Sequence, residues 1–279
     1  MCHPRSEGQV TGSEVARHAV GAYNPRMPAT FGCAPNPRIR ALRPAVAILL
    51  AVLSLTQVSP ANLVSLAMLD GDLVARAIPF QMRLRGQPIS ADLDGDGGAE
   101  LLVVTSGQAS IRRGDEVVWS SPVEWDVRQA RITDLNRDAA PEIALLLWRD
   151  FAPWPIDDYL VSPGRISDFH DSADRACHLI LVGWRHHRFE ELWAGSALSR
   201  PVVAFEPADI DGDGDLELAA LEAGYDDPPG RARSVSIWGW NGFGFTLEAR
   251  SEAALVSRLL VLEAPAAPDV LLVQGAIWR

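Results

Sequence analysis

The sequence predicts an all-β fold: a β-propeller of about five four-stranded blades carrying calcium-binding loops. Three observations predict it. An acidic loop motif recurs along the chain, strand-like apolar runs follow each copy, and many of the 22 glycines and 20 prolines fall between those runs.

The motif is clearest in ISADLDGDGGAELLVV, residues 89–104. It aligns directly with ITDLNRDAAPEIALLL (132–147) and PADIDGDGDLELAALE (207–222). Asp92, Asp134 and Asp209 take the first position, and Asp94, Asn136 and Asp211 the third. Asp96, Asp138 and Asp213 take the fifth, and Glu100, Glu142 and Glu217 the ninth. Two weaker copies start at Asp168 and Val261; the last has Glu263 third, Pro265 fifth and Asp269 ninth. First positions at 92, 134, 168, 209 and 261 fit one four-stranded sheet per repeat.

The intervening segments supply the strands. ELLVVTS, ASIRRG and DEVVWSS follow the first motif, and ELAALEAG, RSVSIWGW and GFTLEARSE follow the fourth. Trp119, Trp193 and Trp238 fall in comparable later strands and are expected to pack one blade on the next. The chain's last run, DVLLVQGAIWR, is expected to share a sheet with NLVSLAMLD, LVARAIPF and MRLRGQPI, closing the ring.

Composition sets limits. The 279 residues are 48% hydrophobic, enough for a well-buried core. A net charge of −11 repels phosphates and argues against nucleic acid. Cys2, Cys33 and Cys177 form neither a disulfide framework nor a zinc pattern. Residues 1–40 have no period and read as a disordered leader. Residues 41–61 read as a signal peptide or signal anchor, with a buried or surface helix as a further reading: Arg38, Arg40 and Arg43 flank an apolar core at 45–55. Met27 is a better-placed start for such a signal. Residues 62–279 form the repeat domain, and an extracellular or cell-surface location follows. Membrane contact is expected only through 41–61, if it is not cleaved.

The loop spacing suits calcium, which takes six to eight hard oxygens. Side chains at positions 1, 3 and 5 converge, position 7 offers a backbone carbonyl (Gly98, Ala140 or Asp215), and position 9 returns a carboxylate. Glycine at positions 4 and 6, Gly95 and Gly97 or Gly212 and Gly214, permits the turn. The second loop has Arg137 and Ala139 there instead, and the Asp168 copy offers only Asp168, His170 and Ser172 before it slips out of frame. An EF-hand is excluded because position 12 is Val103, Leu145 or Ala220.

These DLDGDG…EL loops resemble the FG-GAP repeats of the integrin alpha-chain head, and still more the bacterial VCBS-type repeat proteins. The resemblance covers about residues 63–279 and implies a propeller whose loops hold calcium. It implies as ligands Asp92, Asp94, Asp96, Gly98 and Glu100, then Asp209, Asp211, Asp213, Asp215 and Glu217, with Asp134, Asn136, Asp138, Ala140 and Glu142. The implied role is an interaction module for a protein or glycan; the alternatives are a calcium-stabilised scaffold and a propeller-based hydrolase or lyase. No Gly-x-Ser-x-Gly elbow, Walker loop or His-Glu-x-x-His pair occurs, so an enzyme is not expected. His186 and His187 read as a hairpin turn, and DDYL (157–160) and YDDPPG (225–230) as acidic loop tips.

Overall fold

Alternating and continuous apolar runs both become strands here, and the difference between them decides which strands are buried on two faces. The computed structural model describes residues 63–78, 81–152, 168–265 and 267–277. All lie in the second of the two units into which the chain divides, 42–279. The expected disordered leader, the signal segment at 41–61 and DDYL lie outside the described residues.

Sixteen strands make up the described chain: β1 (Leu63–Leu69), β2 (Asp72–Ala75), β3 (Arg83–Leu84), β4 (Ser90–Ala91), β5 (Glu100–Thr105), β6 (Gln108–Arg113), β7 (Glu116–Ser120), β8 (Asp126–Thr133), β9 (Glu142–Asp150), β10 (Arg175–Arg185), β11 (Arg188–Ala194), β12 (Val202–Ala208), β13 (Glu217–Glu222), β14 (Ala232–Trp240), β15 (Phe245–Ala264) and β16 (Ala267–Ile277). Every pairing is antiparallel. One sheet runs β4-β5-β6-β7, a second β11-β10-β9-β8, and an eight-stranded sheet runs β12-β13-β14-β15-β16-β1-β2 with β3 on β15.

This corrects the predicted architecture. The described residues form three sheets of eight, four and four strands, none closing on itself, not a ring of about five four-stranded blades. The FG-GAP, VCBS and integrin-alpha likeness, and the propeller-borne interaction role drawn from it, lose their scaffold with it. Two sequence features caused the overcount. The Asp168 copy does not head a new sheet; it precedes β10, which pairs back on β9 from Arg175↔Asp150 to Val182↔Ile143. The Val261 copy lies in β15 and β16. β15 is 20 residues long, pairing with β14 in its first part and with β16 in its last, so two expected blades are one continuous sheet.

The first and last described strands do share a sheet, with β1 paired to β16 from Leu63↔Gln274 to Leu66↔Leu271.

The core follows the period of two. In β9, Ile143, Leu145 and Leu147 face β4-β5-β6-β7 and pack with Ala109, Ile111, Trp125 and Val127. Ala144 and Leu146 face the other way and pack with Phe205, Leu218 and Ala220 of the eight-stranded sheet. The run EIALLL is therefore apolar without alternation because both faces of β9 are covered. Trp119 packs against the first of these cores, Trp193 and Trp238 against the second, so the tryptophans join sheets. Cys177 is a fully buried core residue whose thiol burial pushes up to about 12. His186 and His187 form the two-residue turn between β10 and β11, at φ 51° and 62°.

Candidate metal centre

Each of the three strong motifs folds as a ladder of side chain to backbone hydrogen bonds. The position-1 carboxylate accepts first. Gly95 and Gly97 donate to Asp92 at 2.8 and 3.0 Å, Asp138 and Ala139 to Asp134 at 3.1 and 3.0 Å, and Gly212 to Asp209 at 2.8 Å. Position 3 accepts from position 5: Asp96 to Asp94, Asp138 to Asn136, and Asp213 to Asp211, at 3.0–3.1 Å. The N–H groups of Gly98, Ala140 and Asp215 then donate to Asp96, Asp138 and Asp213 at 2.7, 2.9 and 2.8 Å. These are Asx turns in series, which is why short acids recur at alternate positions.

Position 9 closes each loop from the first residue of a strand. Glu100 on β5, Glu142 on β9 and Glu217 on β13 accept from the backbone N–H of Leu93, Leu135 and Ile210 at 2.9, 2.7 and 2.9 Å. Positions 4 and 6 take a left-handed backbone in all three loops. Gly95, Gly97, Gly212 and Gly214 do so at φ 76–95°, and Arg137 and Ala139 do so at 60° and 66° despite their side chains. The second loop therefore has the same course as the others.

Three acidic triads result, each with carboxylate oxygens within 4.8 Å of one another: Asp92, Asp94 and Asp96; Asp134, Asp138 and Glu142; Asp209, Asp211 and Glu217. Each has the oxygen set to hold a metal ion. Glu100 and Asp213 stand outside their loops' triads, and Asn136 donates its Nδ2 to Asp138 Oδ2 at 3.0 Å. The weaker copies form no such group among the described residues. Asp171 takes the turn at the third, accepting from Ala173 and Arg175 at 2.9 Å each. Asp269 of the fifth accepts from the N–H of Asp209 at 2.8 Å.

Arginines whose acidic partners the sequence did not reveal distinguish the three loops. Arg113 at the end of β6 contacts Asp94, donates from Nε to Glu100 Oε1 at 3.1 Å, and lies 3.8 Å from Asp96. Arg137, on loop 134–142, donates to Glu217 Oε1 of loop 209–217 at 2.8 Å and lies 3.4 Å from Asp215. Arg85 bridges Glu263 and Asp269 at 3.0 and 2.7 Å. Glu142 has no such partner. Its Oε1 accepts from Leu135 and Asn136, while its Oε2, on a side chain buried to 1% exposure, has none. The buried polar side-chain atoms without a partner among the described residues are Thr133 Oγ1, Arg137 Nε and Glu142 Oε2, all within residues 133–142. Burial is the main cause that pushes the Glu142 carboxyl up to about 8, against the Leu135 N–H that lowers it. Burial also carries Glu217 to about 7, with Arg137 pulling the other way.

A cleft of about 380 Å³ opens between the first and second loops, with Asp94, Asp138, Glu142, Trp184 and Arg185 on its walls. It gives the Glu142 side of the second loop a route to solvent.

No family model matches this chain, and no curated protein matches it.

Proposed function

We propose that the chain is a divalent-cation-binding β-domain, and that loop 134–142 holds a calcium ion which stabilises the junction between sheets. One observation carries this: a buried carboxylate oxygen of Glu142 without a protein partner, in a residue whose carboxylate gathers with Asp134 and Asp138. A lone buried carboxylate oxygen is costly, and a cation removes the cost. Calcium suits the donors because all are hard oxygens, and the exposed side of the loop leaves room for water to complete the shell. We read the domain as non-enzymatic, since its loop carboxylates are engaged by loop N–H groups, by arginines or, at Glu142, by the proposed ion. Export belongs to the same proposal and rests on the basic flank and apolar core at 38–55.

Isothermal titration of the chelator-treated full chain with calcium tests this. Saturable binding and a calcium-dependent rise in melting temperature are expected, both lost in Glu142→Gln. A parent chain that neither binds calcium nor gains stability from it overturns the reading.

A further inference from the structure

We infer that loops 92–100 and 209–217 are guanidinium sites, not metal sites: Arg113 and Arg137 are their resident cations, which leaves 134–142 as the one ion site among the three loops. The inference rests on the reading of that loop as an ion site, and it adds what the other two loops hold.

The contacts fall where an ion's ligands would. Arg113 reaches positions 3, 5 and 9 of the first loop, Asp94, Asp96 and Glu100. The Asp94 and Glu100 side chains beneath it are buried to 4% and 0% exposure. In loop 209–217 Arg137 reaches one such ligand, the position-9 Glu217 at 0% exposure, and lies beside the Asp215 side chain. A guanidinium supplies one positive charge and a planar fork of N–H donors, which answers buried carboxylate lone pairs directly. A divalent ion that draws on Glu100 or Glu217 must compete with this arginine, so its affinity there falls by the cost of breaking the pairs.

Arg137 has a second consequence. It sits between Asn136 and Asp138, inside the loop assigned to the ion. The segment that wraps the ion on β9's side is therefore the same segment that grips Glu217 at the head of β13. Ordering the one loop orders the arginine that fills the other, so filling one site with an ion reinforces the arginine's hold on the next.

The test is ion stoichiometry, by equilibrium dialysis of the full chain against calcium after chelator treatment. One ion is expected for the parent, and two for each of Arg137→Gly and Arg113→Gln. Arg137→Gly is compatible with folding, because position 4 has a left-handed backbone there and is glycine in the other two loops. Circular dichroism of both variants checks the fold, and either variant alone decides the question if the other does not fold. A parent binding two or three ions overturns the inference while leaving the ion-binding reading intact. So does a folded variant that gains no ion. If the parent binds none, the ion-binding reading fails, yet a gain of one ion in either variant still supports the arginine assignment, and no gain overturns it.

Discussion

Arg131 on β8 and Glu206 on β12 meet fork to fork, Nε to Oε2 at 2.9 Å and Nη2 to Oε1 at 2.6 Å. The pair joins the β11-β10-β9-β8 sheet to the eight-stranded one. Gln129 works beside it, its Oε1 accepting from the N–H of Phe205 at 3.1 Å. Two edge strands that share no backbone ladder are thus tied by side chains.

Breaking that tie from one side leaves a charge poorly solvated. Glu206→Ala is expected to lower unfolding free energy by about 2–3 kcal/mol. The double change Arg131→Met with Glu206→Leu should recover much of the loss, because a packed apolar pair has no desolvation cost. Urea denaturation of the four chains in the cycle measures both.

Leu146 faces the core shared with Phe205 and Leu218 and is 1% exposed. Leu146→Ala is expected to cost about 2–5 kcal/mol, from lost transfer energy and the cavity left behind. A change below about 1 kcal/mol in the denaturation midpoint analysis would mean that this face of β9 is not packed as described.

His178 on β10 is 5% exposed, with Nδ1 3.0 Å from the carbonyl of Gly195. Burial is the main cause that lowers its pKa to about 4, and Arg149 nearby acts in the same direction. The folded value lies below the unfolded one, so the unfolded chain binds more protons between them. The contribution of His178 is therefore fully present above about pH 6.5 and is lost as pH falls toward 4. Thermal melts from pH 7 to 4 should show a destabilising slope that is shallower in His178→Gln, and the ring resonances of His178 should titrate well below those of an exposed histidine.

Ala139 occupies a left-handed position where the other strong loops have Gly97 and Gly214. Ala139→Gly relieves backbone strain of about 1 kcal/mol, partly offset by greater unfolded-chain entropy. A small rise in melting temperature is expected, with calcium binding retained. The converse, Gly95→Ala at φ 76°, should destabilise.

The acids, the turns and most strands were legible in the sequence, because each is a local property. Asp92 to Glu100 and Asp134 to Glu142 each close on themselves within nine residues, and the apolar runs behind them read directly as β5 and β9. Sheet number was not local. Nothing in FTLEARSEAALVSRLLVLEA says that one strand runs through from β14 to β16, and nothing near Asp168 says that β10 returns to β9. The arginines were invisible for the same reason. Arg113 comes over Glu100 only through the β5–β6 register, which sets Leu101 opposite Arg112. Arg137 looked like a defect in its own loop because its partner, Glu217, lies 80 residues away in sequence. Glu142 looked ordinary until the neighbouring position-9 acids were seen to have partners.

The pairing of Leu63 with Gln274 also sets an order of events during synthesis. Of the described strands, β1 emerges from the ribosome first and waits, with one edge exposed, for β16, which is made later than the rest. The two small sheets between them have local pairings and are free to form while translation continues. A ribosome stalled before residue 267 would therefore present an unfinished β-edge, the kind of surface that chaperones hold and that drives aggregation when they do not.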